Sequence, residues 1–296
     1  MEHRGSIGVV FAIVLIDMLG FGIVMPVLPG LIMDLGHMGV DAAALWSGWL
    51  TAGYAALQFL FAPIIGNLSD RFGRRPLLLA SLAGMGVDYL VMGLAPGLWW
   101  IVLGRVAAGI PGASWSAGYA YIADITPPEK RAANFGLMGM AFGFGFIFGP
   151  ALGGLLAQWG PRVPFLAAAG LSLTNLVVGW FVLRESLPAD KRRAFDWKRA
   201  NAFAALKALR HQSGSVLWFI AALAMWQLAH IVYPAIWSYV AIAAWHFDAK
   251  AIGLALGVVG LTSALVQGLG LRYVAPKMGE RNAVLLGVAG FGISAV

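Results

Sequence analysis

The sequence has no cysteine, only five histidines, and charge on just 11% of its residues. Without cysteine there is no disulfide framework and no thiolate metal site. There is also no metal-type HExxH, no nucleophile elbow and no P-loop. Of the histidines, His3, His37, His211 and His246 fall outside or at the ends of the apolar runs. No catalytic residue, metal ligand or cofactor is therefore expected, and ATP-driven transport within this chain is disfavoured. The shortage of charge excludes more. A soluble domain carries roughly a quarter charged residues, and this chain has too few to cover a globular surface.

What the sequence has instead is apolar length. It is 60% hydrophobic over 296 residues, with a mean hydropathy of +0.81. A helix needs about 20 apolar residues to cross a bilayer. Runs of that kind predict spans at 7–28, 44–66, 76–95, 98–123, 133–157, 164–183, 214–240 and 250–271, with a ninth beginning near 283. The first is not a signal peptide: it is long and glycine-rich, contains Asp17 and lacks a small-residue cleavage site.

The basic residues orient these spans. Seventeen of the twenty Lys and Arg fall on the side of the N-terminus, eight of them in the polar stretch 184–213. Only Arg162 and Lys250 fall on the other side, and Arg105 lies inside a span. The positive-inside rule then puts the N-terminus and the linker in the cytoplasm. The net charge of +7 is a topology and lipid signal, not a nucleic-acid one.

Two strings recur. RFGRRPLLL around Gly73 is matched by KMGERNAVLL around Gly279, 206 residues on, and GIVMPVL near Pro26 by HIVYPAI near Pro234, 208 residues on. The spacing points to an internal duplication and to a parallel-repeat transporter. The domains expected are a six-helix bundle at 1–183, a cytoplasmic linker at 184–213 and a partial second bundle at 214–296. Because the chain stops inside an apolar run, it is read as truncated, with about 8–9 of twelve spans present.

Two motifs carry the function. The first is GNLSDRFGRR at 66–75, expected in the turn between spans two and three. Gly66 and Gly73 permit a tight turn and close helix approach. Asp70 can pair with arginines or cap the next helix, and Arg71, Arg74 and Arg75 suit the headgroup layer. The second is the series Gly136, Gly145, Gly149, Pro150, Gly153 and Gly154 in span five. A glycine face packs closely and a proline bends the helix.

The first motif fits, without a gap, the signature loop of the major facilitator superfamily, G-x-L-x-D-R-x-G-R-R. The second resembles the signature of that superfamily's drug–proton antiporters. LIDMLGFGIVMPVLPGLI, VDYL at 87–90 and GRVAAGIPGASWSAGYAYIADIT at 104–126 are similar to bacterial tetracycline–proton antiporters. The resemblance implies an all-α integral membrane protein with twelve spans in two six-helix repeats, in the bacterial inner membrane and monomeric at full length. It also implies a cytoplasmic latch of Asp70, Arg74 and Asp124 that breaks as the halves rock. Two departures stand out: Phe291 replaces an intramembrane acid of those exporters, and Ala241–Trp245 replaces a polar Thr-Glu-x-Arg-Phe stretch.

Three charges sit inside predicted spans: Asp17, Asp88 and Arg105. Such groups are expensive in hydrocarbon and mark function. Burial favours a protonated carboxylate and a nearby arginine favours the ionised one, which is the competition proton coupling needs. The resemblance makes these the coupling and substrate residues, leaving open which acid does which. Gln58, Trp115, Asn175, Gln227, His230 and Gln267 are further candidates for a central cavity or for hydrogen bonds between helices. Trp115 and Trp226 lie deep enough to stack on an aromatic substrate, whereas Trp99 and Trp100 suit an interfacial belt. The function expected is export of a hydrophobic drug, tetracycline-like or multidrug, in exchange for protons. The alternative is an importer or uniporter of a small metabolite on the same fold.

Overall fold

The computed structural model describes residues 3–113, 115–197, 199–209 and 213–265. The described residues are helical with no strand. The helices are α1 (His3–Val24), α2 (Leu28–Gly36), α3 (Val40–Phe72), α4 (Arg74–Leu94), α5 (Leu98–Gly112), α6 (Trp115–Ile125), α7 (Arg131–Leu156), α8 (Val163–Val182), α9 (Ala202–Leu209), α10 (Gly214–Trp245) and α11 (Ala249–Leu265). Among the described residues, α1, α3, α4, α7 and α8 are long and apolar enough to cross a membrane. The ninth predicted span and Gln267 lie outside the described residues.

Three elements differ from the sequence reading. The first span ends at Val24, because Met25–Val27 form a turn around Pro26, which has no N–H to give. The chain restarts as α2, with Pro29 in its first turn. The fourth span is two helices, α5 and α6, with Pro111 in the last turn of α5. The first motif is mostly helix rather than turn: α3 runs on through Phe72, leaving Gly73 alone to reverse the chain at φ 106°. At 33 residues α3 is about 50 Å long, well beyond the roughly 30 Å of a hydrocarbon layer.

α2 and α10 both stop on a histidine in the left-handed conformation, His37 at φ 48° and His246 at φ 53°. These corners stand 209 residues apart (37 to 246), close to the 206- and 208-residue offsets of the repeated strings. α10 covers in one helix of 32 residues what α1 and α2 cover in two.

α7 is the central packing element, with α1 on one side and α11 on the other. α4 packs between α5 and α8, and α3 lies along α5. The core joins Ile23, Leu31, Met85, Tyr89, Met92, Ile101 and Phe165, all buried. The outer surface is apolar as well: Trp49, Leu103, Phe181 and Trp218 are each more than 60% exposed. Such a surface is suited to lipid and not to water.

Candidate functional site

The structure joins the predicted charges into two clusters. The deep one begins with α4 and α5. Asp88, 3% exposed, pairs through Oδ2 with Arg105 Nη2. Gly104 makes room, since a Cβ there would stand 3.1 Å from Asp88 Oδ1. The guanidinium lies 5.7 Å from the Tyr54 ring and 5.9 Å from the Tyr89 ring. Aromatic faces attract a cation and partly replace its lost hydration.

Asp17 enters from α1. It lines a mostly apolar cavity of about 260 Å³ with Phe21, Tyr54, Ser81, Trp115 and Met138. The Tyr89 ring packs against α1, 3.5 Å from where a Gly20 Cβ would be. Tyr54 lines the cavity with Asp17 and also lies beside the guanidinium, so it links Asp17 to the Asp88–Arg105 pair. Among the described residues, Asp17 Oδ1, Asp88 Oδ1, Arg105 Nε and the Tyr89 hydroxyl are buried without a hydrogen-bond partner. Buried polar atoms are nearly always paired, so this unit holds capacity for further bonds.

The second cluster sits at the arginine-rich end. Arg74 is its node. Nη1 meets Asp70 Oδ1 at 2.6 Å and donates to Ser69 Oγ at 2.6 Å, and Nε meets Asp124 Oδ2 at 3.2 Å. Asp70 and Arg74 are four residues apart, across the α3–α4 reversal; Asp124 comes from α6. Arg75 donates to the Trp180 carbonyl at 2.5 Å and stands over its ring at 5.5 Å. Arg71 lies over Phe72, exposed, at 5.1 Å. Gly66 faces α6, with Ser116 Oγ 3.8 Å from where a Cβ would be.

The glycine series of α7 divides between two neighbours. Gly145 and Gly149 meet α1: a Cβ on Gly149 would stand 2.6 Å from Gly22 Cα, and one on Gly145 would overlap Met18. A Cβ on Gly153 would strike the Ile23 carbonyl. Gly154 turns to α11, where its Cβ would stand 2.6 Å from the Ala249 carbonyl oxygen, while Gly253 of α11 faces the Pro150 carbonyl. Gly136 has no atom within 4 Å of its Cβ position. Backbone contact this close is possible only without side chains.

Of the lesser polar candidates, Trp115 lines the cavity. Gln58 Nε2 donates to the Gly112 carbonyl at 2.9 Å and Asn175 Nδ2 to the Ile13 carbonyl at 2.8 Å, so both join helices. Gln227 is exposed on α10, and the side chain of His230 lies outside the described residues. Sequence reading missed Tyr54, Tyr89 and Glu185. The tyrosines could have been found as the polar aromatics nearest the intramembrane charges. Glu185 carries no sequence signal, since its partners lie 110 residues away.

The sequence matches the Major Facilitator Superfamily over residues 10–296. It is 41% identical to the class C tetracycline resistance protein of Escherichia coli, over 98% of this chain and 72% of that protein. It is 28% identical to multidrug resistance protein 2 of Bacillus subtilis, over 96% of this chain and 70% of that one. The crystal structure of the human organic anion transporter MFSD10 superposes with a TM-score of 0.67 at 26% identity, over 94% of this chain and 74% of that one. The all-helical fold, the buried ion pair, the arginine-rich motif and these matches lead to one conclusion: the chain belongs to the Major Facilitator Superfamily, a family of membrane transporters and not of enzymes.

Proposed function

We propose that this protein exports a hydrophobic drug, tetracycline-like or multidrug, in exchange for protons by alternating access. The observation that carries the reading is the deep cluster: the Asp88–Arg105 pair, and Asp17 on an apolar cavity whose wall, Tyr54, also lies beside the guanidinium. Two acids and one arginine leave a net charge of −1. A lone charge is costly in low dielectric. One proton or one cationic group on a substrate neutralises the unit, and both together overload it. Proton and drug therefore compete, and competition for one site is the basis of exchange. Arg105 modulates it, because its pairing with one acid leaves the other to be protonated or to meet substrate.

The aromatic and apolar wall, with Trp115 and Phe21, suits a flat lipophilic molecule. The resistance proteins of Escherichia coli and Bacillus subtilis among its relatives support a drug as cargo. In this reading Asp70, Arg74 and Asp124 latch the cytoplasmic end. The bundle at 1–183 and the chain from 214 rock about the α7–α11 contact, joined by the linker 184–213. The N-terminus is cytoplasmic and the protein sits as a monomer in the bacterial inner membrane.

The test is drug-driven proton movement in energised inverted vesicles, with tetracycline and a panel of lipophilic cations. Proton release on adding drug is expected for the parent, with loss of at least a hundredfold in Asp88→Asn, the scale of removing an essential proton-transfer group. Transport that survives the substitution and ignores the pH gradient would make Asp88 a structural partner and the protein a uniporter.

A further inference from the structure

The latch proposed above consists of three side chains, yet a fourth group holds Arg74 by its main chain. Glu185 follows α8 at the start of the linker. Its Oε1 accepts the Arg74 N–H at 2.8 Å and its Oε2 the Arg75 N–H at 3.3 Å. Oε1 also accepts the Leu187 N–H at 3.0 Å, which fixes the carboxylate. The neighbouring Ser186 donates to Asp124 Oδ2 at 3.2 Å, the same oxygen that Arg74 Nε reaches.

This arrangement explains Gly73. α4 begins without a side-chain cap of its own. Its first N–H groups need acceptors, and a carboxylate there also meets the positive end of the helix dipole. Glu185 supplies both from across the bundle. A Cβ on Gly73 would collide with that carboxylate, apart from the strain it would meet at φ 106°. Glycine is thus needed for space as well as for the turn.

The linker keeps to the same surface for a dozen residues. The Arg193 N–H donates to the Asp70 carbonyl at 3.0 Å. Asn67 brackets the Asp196 main chain, donating to its carbonyl at 2.8 Å and accepting its N–H at 3.3 Å. The segment 184–196 is therefore tied to the start of α4, to Asp124, to Asp70 and to the last turns of α3. Beyond it the chain leads to α10.

We infer that Glu185 is a positioning residue of the latch, and that 184–196 is a strap through which displacement of α10 loosens Arg74. The inference rests on the latch reading, but its test needs neither drug nor proton gradient. These 296 residues contain no cysteine, so a thiol introduced here is read against the cysteine-intact parent with a membrane-impermeant maleimide. Met138→Cys, on the cavity wall and 3% exposed, reports access from the basic end. Gln158→Cys, just past the other end of α7 in a second cavity that Pro26, Asp34 and Phe247 also line, reports access from the opposite side.

In the full chain, Glu185→Gln is expected to speed labelling at Met138→Cys about tenfold, the population shift from losing one charge-assisted hydrogen bond. It should slow labelling at Gln158→Cys in return. Asp124→Asn is the benchmark and Glu185→Asp should fall between it and the parent. If Glu185→Gln labels at the parent rate while Asp124→Asn labels faster, Glu185 is only a helix cap and the strap is overturned. Faster labelling at the basic end without slowing at the far end would be local fraying and overturns it as well. If Glu185→Gln is not recovered in the membrane, a parent-like rate in Glu185→Asp overturns the strap in its place. Antiport can fail in vesicles with these rates shifted as expected, or hold with them unchanged, so the two readings fall separately.

Discussion

The deep cluster and the basic-end cluster use the same chemistry, carboxylates around an arginine, in opposite ways. In the deep one Asp88 is almost wholly buried and Arg105 lies beside two tyrosine rings, and each keeps a buried polar atom without a partner. At the basic end Arg74 is braced from several directions: two acids, a serine, and Glu185 on its own main chain. Its acids are a quarter to a third exposed, against 2% for Asp88. The difference teaches where each pairing gets its strength. A low dielectric makes a single contact strong. Water weakens each contact, so holding Arg74 firmly takes several.

The largest expected effect separates the two arginines. Arg105→Ala strands Asp88 in the interior, and breaking a buried pair on one side costs about 3–5 kcal/mol. Arg74→Ala leaves acids that water can reach and costs about 1–3 kcal/mol. Thermal or denaturant unfolding of the purified variants in detergent measures both, and equal losses would erase the contrast. Next in size is the scaffold that holds the two clusters in one frame. Gly149→Ala drives a methyl into Gly22 and is expected to cost about 1–3 kcal/mol by overpacking. Gly136→Ala meets nothing within 4 Å and, as an alanine in a helix, gains about 0.5–1 kcal/mol. A Gly136→Ala loss matching that of Gly149→Ala would show that α7 packs differently. The smallest effect sharpens the solvent argument. The Asp70–Arg74 bridge, open to water on the Asp70 side, is worth about 1 kcal/mol, and 1 M salt, with a screening length near 3 Å, should weaken it. The stability gap between parent and Asp70→Asn should narrow in high salt, while the gap for Asp88→Asn should persist.

Much of this was legible in the sequence, for reasons that lie in the bilayer. A charge inside an apolar run stands out, so Asp17, Asp88 and Arg105 could be read directly. Motif spacing gave Asp70, Arg74 and the α7 glycines. What escaped were features fixed by tertiary contact. Hydropathy does not register the length of α3, because GNLSDRF is polar and yet stays helical as far as Gly73. It does not mark the break after Pro111, because the flanking residues are apolar on both sides. For Gln58 and Asn175 the sequence offered a cavity or bonds between helices, and the carbonyls they meet on neighbouring helices give the second. Glu185 lay in a polar linker, where an acid among eight basic residues invites no attention.

The glycine face that α7 turns to α11 has a mechanical consequence. Side chains at a helix interface act as teeth: they interlock, choose rotamers and resist sliding until they jump a notch. Where Gly154 and Gly253 meet the opposite backbone there are no teeth. There the distance between the two helices is set by main chain alone, while further along Ile147 sits against Gly260 as a single peg. Adding one methyl at Gly154 or Gly253 would prise the two backbones apart.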